Sequence, residues 1–431
     1  MNLTRRLGLA GTVTALAVAA AVAGTSSAQA SPSAVGSARV SLPGGSGARL
    51  DSPAVFGAQT ITPPFIVKVI GRLPNGQPKL SSSSPTGLSP SAIASVYNLS
   101  GLSPTSGAGA GQIIAIVDAY HDPNALSDLN TFNTQYGYPQ MSACTSLSQA
   151  GSCFMHADPQ GRPGVHSVWV VEESLDIEWA HAEAPAAKIV LVEAKSGRPA
   201  NLFGAVSYAN SIGATEVSMS WGGGEFSSET LLDSLMTHAG TFYTASAGDS
   251  GHGAQYPAAS PNVIAVGGTT LNGCSGISCS GFTSETAWSG SGGGISAYEP
   301  IPAYQDSYKG PVSGASTISE LTSGHRGIPD VSFDASPRTG VSVYDSTGFR
   351  GQRGWFTLGG TSVGAPNWAG ILAAGAAAGK TLQGNPAIYS KGYLSNLRDI
   401  TSGTNGTCGT DCTAGNGYDL VTGLGSPISY P

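Results

Sequence analysis

From about Pro85 onward, short apolar runs alternate with amphipathic stretches. Ile113 to Val117 (IIAIV), Lys188 to Val192 (KIVLV) and Val263 to Val266 (VIAV) are continuous runs bounded by polar or small residues. Runs of this length suit strands covered on both faces. Leu88 to Leu99 instead has helical spacing, with Ser89 placed as N-cap and Pro90 at the first helical position. Asn124 to Tyr136 and the stretches 166–183, 200–211, 228–238 and 363–378 also read as helices. Buried strands separated by helices predict an α/β fold with a mostly parallel central sheet flanked by helices. In such sheets functional groups gather outside the carboxyl ends of the strands. No internal repeat is visible.

The front of the chain follows different rules. Arg5 and Arg6 precede a small-residue apolar run from Leu7 to Gly24, and Ala28-Gln29-Ala30 offers a cleavage pattern before Ser31. This predicts a signal peptide over 1–30 and a secreted protein. Residues 31–87 are rich in Ser, Gly, Pro and Ala and read as a short propeptide and linker. They contain one strand-like run, Phe65 to Ile70, and a Ser81–Pro85 segment that reads as an exposed linker. The remaining 88–431 form the main domain. Six cysteines fall in three close pairs, Cys144 with Cys153, Cys274 with Cys279 and Cys408 with Cys412. Local disulfides are the simplest reading, since no zinc-ligand spacing is present.

Composition narrows the function. Charged residues make up 10% of the chain, and Asp plus Glu (26) outnumber Lys plus Arg (19). A nucleic-acid binder would need a basic patch. Hydrophobic residues at 40% are ample for a core and argue against disorder. With carboxyls protonated, the remaining charges are only 19 Lys plus Arg and 7 His. Sparse cations limit self-repulsion in acid.

Three segments carry chemistry. Gly359 to Gly370 (GGTSVGAPNWAG) places Ser362 between glycines at the start of an Ala/Gly-rich helix. The helix N-terminus favours developing negative charge, which suits a nucleophilic serine as well as a plain N-cap. Val168 to Pro185 (VWVVEESLDIEWAHAEAP) sets Val171, Leu175, Trp179 and Ala182 on one stripe, with Glu172 and Asp176 four apart on an adjacent face. Such a pair is either a solvated acidic face or two carboxyls that cannot easily both ionise. Tyr243 to Gly251 (YTASAGDSG) delivers Asp249 into a glycine turn.

Together these stretches resemble the sedolisins, the serine-carboxyl peptidases with a subtilisin-like fold. The likeness extends to Val217–Gly223, Tyr256–Thr269, Trp288–Gln305 and Ile328–Ala335, in order along 88–431. It implies a three-layer subtilisin-like fold and a secreted, acid-active endopeptidase taking polypeptide substrates. Ser362 is then the nucleophile, Glu172 its general base, Asp176 the partner of Glu172, and Asp249 a protonated donor to the oxyanion. Glu173, three residues from Asp176, is the other candidate base. Asp118 and Trp221 are candidate neighbours of the same network, or a turn residue and wall packing.

A further segment holds Asp399, Ile400, Gly415, Gly417 and Asp419 in glycine-rich loops. Two carboxylates with backbone carbonyls suit Ca2+ but equally suit turn chemistry. The resemblance implies one structural calcium on the Asp399 and Asp419 side chains and the Ile400, Gly415 and Gly417 carbonyls. It also implies a monomer with no membrane contact after signal removal. About 55 residues between signal and catalytic part are short for a sedolisin prodomain. The rivals are a subtilisin-type peptidase, which needs a catalytic His that no motif supplies, and a silent secreted binding protein on the same scaffold.

Overall fold

Alternation along each apolar run decides how the core is built. In the computed structural model, which describes residues 39–41, 47–48, 60–99, 103–379, 384–390 and 394–429, Ala115 and Val117 face one side of the sheet and Ile114 and Ile116 the other. The expected signal peptide lies outside the described residues, as does most of 31–59. The principal elements, in chain order, are β1 (Ile66–Lys68), β2 (Ser81–Ser82), α1 (Pro90–Tyr97), β3 (Ile113–Ala119), α2 (Ala125–Tyr136), β4 (Phe154–Ala157), α3 (Trp169–Glu183), β5 (Lys188–Ala194), α4 (Pro199–Ser211), β6 (Glu216–Met219), β7 (Phe242–Ser246), β8 (Ile264–Asn272), β9 (Ser284–Ala287), β10 (Val331–Asp334), β11 (Val341–Phe349), β12 (Gln352–Gly359) and α5 (Gly364–Ala377).

The central sheet has eight strands in the order β9-β8-β7-β6-β3-β5-β4, with β10 also on β8. All pairings are parallel except β8 with β9. Leu202, Phe203 and Val206 of α4 cover one face with Val190 and Val192. Ile177 and Ala180 of α3, with Ala369 and Ala373 of α5, cover the other. The helices α3 and α5 touch where Gly370 meets the Glu183 side chain and the Ala180 carbonyl. A Cβ at residue 370 would lie 3.2 Å from that oxygen. The result is the expected three-layer α/β fold. Among the described residues no helix is long and apolar enough to cross a membrane.

Most predicted elements form where their spacing placed them. Ser89 caps α1 through the Ala92 amide at 3.2 Å. The three close cysteine pairs are bonded. Two expectations differ. Residues 228–238 form only short 3-10 turns, Glu229–Leu231 and Asp233–Met236. There Glu229 accepts from the Phe226 amide and Asp233 from the Tyr256 hydroxyl, so both side chains serve the loop rather than a helix face. The Ser81–Pro85 segment is only partly exposed. Ser81 is buried, pairs with Phe356 of β12, and donates to the Arg353 carbonyl at 2.8 Å.

That pairing belongs to a second sheet, in which β12 is flanked by β11, β1 and β2. The strand β1 runs antiparallel to β12 with Val67 opposite Leu358 and Ile66 opposite Gly359. Phe65, Val67, Val69 and Leu80 are buried. The N-terminal segment is thus bonded to the strand that leads directly into the Ser362 motif.

Candidate active site

The parallel sheet ends its strands on one edge, and the chemistry-bearing residues collect there. Asp118 lies near the end of β3, and Asp249 follows β7 after a glycine turn. Glu172 and Asp176 come from α3, and Ser362 from the 3-10 turn Thr361–Val363 that opens α5. All five are buried.

Every residue of α3 is buried, so the helix is not a solvated acidic face. It can bury its carboxyls only because they meet polar groups or share protons. Around Glu172 lie Asp118, Asp249 and the hydroxyls of Ser362 and Ser220. Burial, then Asp118, pushes the Glu172 carboxyl well above the usual range, while the two hydroxyls favour its charged form. Neither hydroxyl is aligned as a hydrogen bond to it. Asp176 is raised by burial, then by Asp118 and Glu172. Asp118 is raised to about 8 by burial and by Glu193. Glu173 points elsewhere: burial raises it, with Glu193, Asp122, Asp118 and Asp345 as its charged neighbours. Trp221 donates to the Val117 carbonyl at 2.8 Å, one residue before Asp118.

The nucleophile candidate and Asp249 are held by a clamp. The Thr361 amide and hydroxyl both donate to Asp249 Oδ1 at 2.8 Å, and the Gly248 amide donates to Thr361 Oγ1 at 3.0 Å. Gly360 has φ of 121°, a conformation that suits glycine. A Cβ there would collide with Asp249 Oδ2 and come within 2.7 Å of the Pro64 carbonyl oxygen. The Ser362 hydroxyl donates to that same Pro64 oxygen at 3.3 Å. Pro64 gave no signal in the sequence beyond its place before an apolar run.

At the C-terminal loops, Asp419 Oδ2 accepts from the Gly415 amide at 2.9 Å and Asp399 Oδ2 from the Gly417 amide at 2.8 Å. Asp419 Oδ1 also accepts from the Val421 and Thr422 amides. Both carboxylates therefore converge on one glycine loop. Among the described residues no Lys or Arg forms an ion pair with either, and the Ile400, Gly415 and Gly417 carbonyls accept no hydrogen bond. Unneutralised carboxylates beside free carbonyls are the donor set a hard cation takes. Two other clusters combine metal-ligating side chains: His121, His156 and Glu193, and His252 with Cys408 and Cys412. The second is closed by the Cys408–Cys412 disulfide.

Comparison with known proteins agrees with the fold. A model of the subtilase family matches residues 168–391. Sedolisin of Pseudomonas sp. (strain 101) is 26% identical over 86% of this chain and 65% of its own length. Kumamolisin of Bacillus sp. (strain MN-32) is 32% identical over 80% of this chain and 63% of its own. The chain thus spans just under two-thirds of the length of these curated relatives. Among solved structures, Pseudomonas sedolisin, described as a serine-carboxyl proteinase complexed with two molecules of pseudo-iodotyrostatin, superposes with a TM-score of 0.63 at 26% identity. That match covers 80% of this chain and 96% of the other.

Proposed function

The chain belongs to the subtilase family, in its sedolisin branch, and we propose that it is a secreted, acid-active serine-carboxyl endopeptidase. The observation that carries this reading is Glu172 set among Ser362, Ser220, Asp118 and Asp249 in a buried cluster. Ser362 Oγ attacks the scissile carbonyl carbon while Glu172 takes its proton. Asp249, held to Thr361 beside the nucleophile, keeps its own proton and donates to the oxyanion. The tetrahedral intermediate collapses as Glu172 returns the proton to the leaving amine. Water then attacks the acyl-enzyme by the same route, freeing the acid and regenerating Ser362. Asp176 is a positioning residue for Glu172.

Acid favours this base for two reasons. A carboxylate has an ordinary pKa of about 4, against about 6.5 for imidazole. Protonation of Asp118 and Asp249 also removes the like charges that oppose ionisation of Glu172, leaving it as the carboxyl favoured by two hydroxyls.

Residues 31–87 are read as a short propeptide. Its Pro64–Lys68 part lies antiparallel to β12 with a carbonyl at Ser362 Oγ, the place a substrate strand would take. The precursor is then latent until this segment is cut or displaced. A structural Ca2+ would be held by the Asp399 and Asp419 carboxylates with the Ile400, Gly415 and Gly417 carbonyls. When bound it supplies positive charge that pins the C-terminal loops. The test is digestion of a denatured protein from pH 2 to 8 by wild type and Ser362→Ala. An acid optimum abolished in the variant supports the reading; full activity in Ser362→Ala, or a neutral to alkaline optimum, refutes it.

A further inference from the structure

Three strand ends beside the triad carry a second constellation that peptide hydrolysis does not use. His121 follows β3, His156 lies in β4 and Glu193 in β5. In the ladder Glu193 stands opposite Asp118, and His156 opposite Leu191, so the three side chains converge at one sheet edge. Glu193 Oε2 lies 2.7 Å from His121 Nδ1, and Glu193 Oε1 lies 3.1 Å from His156 Nε2. The two rings are 5.4 Å apart. The Asp122 amide donates to Glu193 Oε1 at 3.0 Å, which fixes the carboxylate between the imidazoles. Tyr120, immediately before His121, has φ of 72°. That left-handed turn swings His121 back over the strand end at a conformational cost, as functional sites often do.

We propose that His121, His156 and Glu193 form a site for a zinc-class divalent cation. The three ligand atoms lie within 4.8 Å of one another. Ligands about 2.0–2.1 Å from a tetrahedral zinc sit about 3.4 Å apart, so side-chain shifts alone close the site. Two imidazoles and a carboxylate are the donor set of zinc sites that keep an open fourth position. His156 Nε2 has no aligned hydrogen-bond partner. The Asp158 carboxylate also lies beside Glu193. Its ion pair with exposed Arg162 is loose at 3.6 Å. Asp118, Asp122 and Glu173 also lie around Glu193. Access is from the His156 side, whose side chain is 26% exposed while Glu193 is fully covered. The calcium loops are a separate, all-oxygen site, so the metals are told apart by chemistry.

The experiment uses the full chain carrying Ser362→Ala, freed of metal and held in calcium-containing buffer at pH 7. Titration calorimetry with zinc chloride is expected to show one equivalent bound. His156→Ala and Glu193→Gln should each weaken it by at least tenfold, while His238→Ala, whose ring bonds to Thr241 instead, leaves it unchanged. Cobalt(II) added to the chain with native ligands should give the visible absorption of a tetrahedral ion. That readout does not depend on whether a ligand variant folds. No saturable zinc binding, unchanged affinity in His156→Ala, or an octahedral cobalt spectrum would each overturn the proposal.

Discussion

Replacing Glu172 by Gln keeps the shape of the buried side chain and removes its ability to accept a proton. Its neighbours are Asp118, Asp249 and the hydroxyls of Ser362 and Ser220, so the loss falls on the nucleophile. General-base catalysis contributes about 10²–10⁴-fold, so kcat/KM for a quenched fluorescent peptide at acid pH should fall by that factor. A hundredfold loss corresponds to about 2.7 kcal/mol of transition-state stabilisation. Glu173→Gln provides the contrast, because Glu173 faces Glu193, Asp122 and Asp345 rather than Ser362. Its kcat/KM should stay within about tenfold of wild type, the difference between a positional effect and loss of the base. Stability should move the other way. Burial and Asp118 raise the Glu172 carboxyl, so the folded chain holds its proton more tightly than the unfolded chain does. The stability this gives is complete below the unfolded value and is lost as pH rises through the folded one. Gln cannot ionise and escapes that loss. In a Ser362→Ala background, which prevents self-digestion, the urea midpoint of Glu172→Gln at pH 7 should equal or exceed that of its parent. Retention of more than a tenth of activity in Glu172→Gln, or an equal fall in Glu173→Gln, would refute the assignment of the base.

Three further outcomes follow from groups away from the triad. Glu216 is fully buried at the start of β6 and raised to about 8 by burial. Between the unfolded value and 8 it should therefore cost the fold up to about 1.4 kcal/mol per pH unit, and Glu216→Gln should show a correspondingly shallower decline in urea midpoints. Arg326 donates to Asp330 Oδ1 at 2.8 Å and Oδ2 at 2.6 Å, with both side chains wholly buried. Arg326→Ala should lose about 3–5 kcal/mol in chemical denaturation, since it strands a buried carboxylate. Chelation of calcium should lower the melting temperature of the parent and leave Asp419→Ala, measured beside it, unmoved; metal analysis finding no calcium in the purified parent would contradict the ligand set.

Helix and strand positions were legible in the sequence because a 3.6-residue spacing and a short continuous apolar run each fit inside a short window. That is why IIAIV and KIVLV form adjacent parallel strands and why Ser89 and Pro90 start α1. The Ser362, Glu172, Asp176 and Asp249 segments were also readable, since each carries a local motif. The pattern failed at 228–238, where Glu229 and Asp233 bond to the loop through contacts that periodicity does not register.

What the sequence determined by itself, then, was the order of the layers and the residue types brought to the sheet edge. Tertiary structure alone decided their company. One residue of helical rotation separates Glu172 from Glu173, and only the packing of α3 against α5 and the sheet turns the first toward Ser362 and the second toward Glu193. The same holds for Pro64, brought to Ser362 from 298 residues away by the register of β1 on β12. It holds too for His121, His156 and Glu193, which no motif links and three neighbouring strand ends unite. Local spacing fixes a side chain's direction on its own element. Which groups it then meets depends on strand register and helix rotation, and these are set by burial of the whole core.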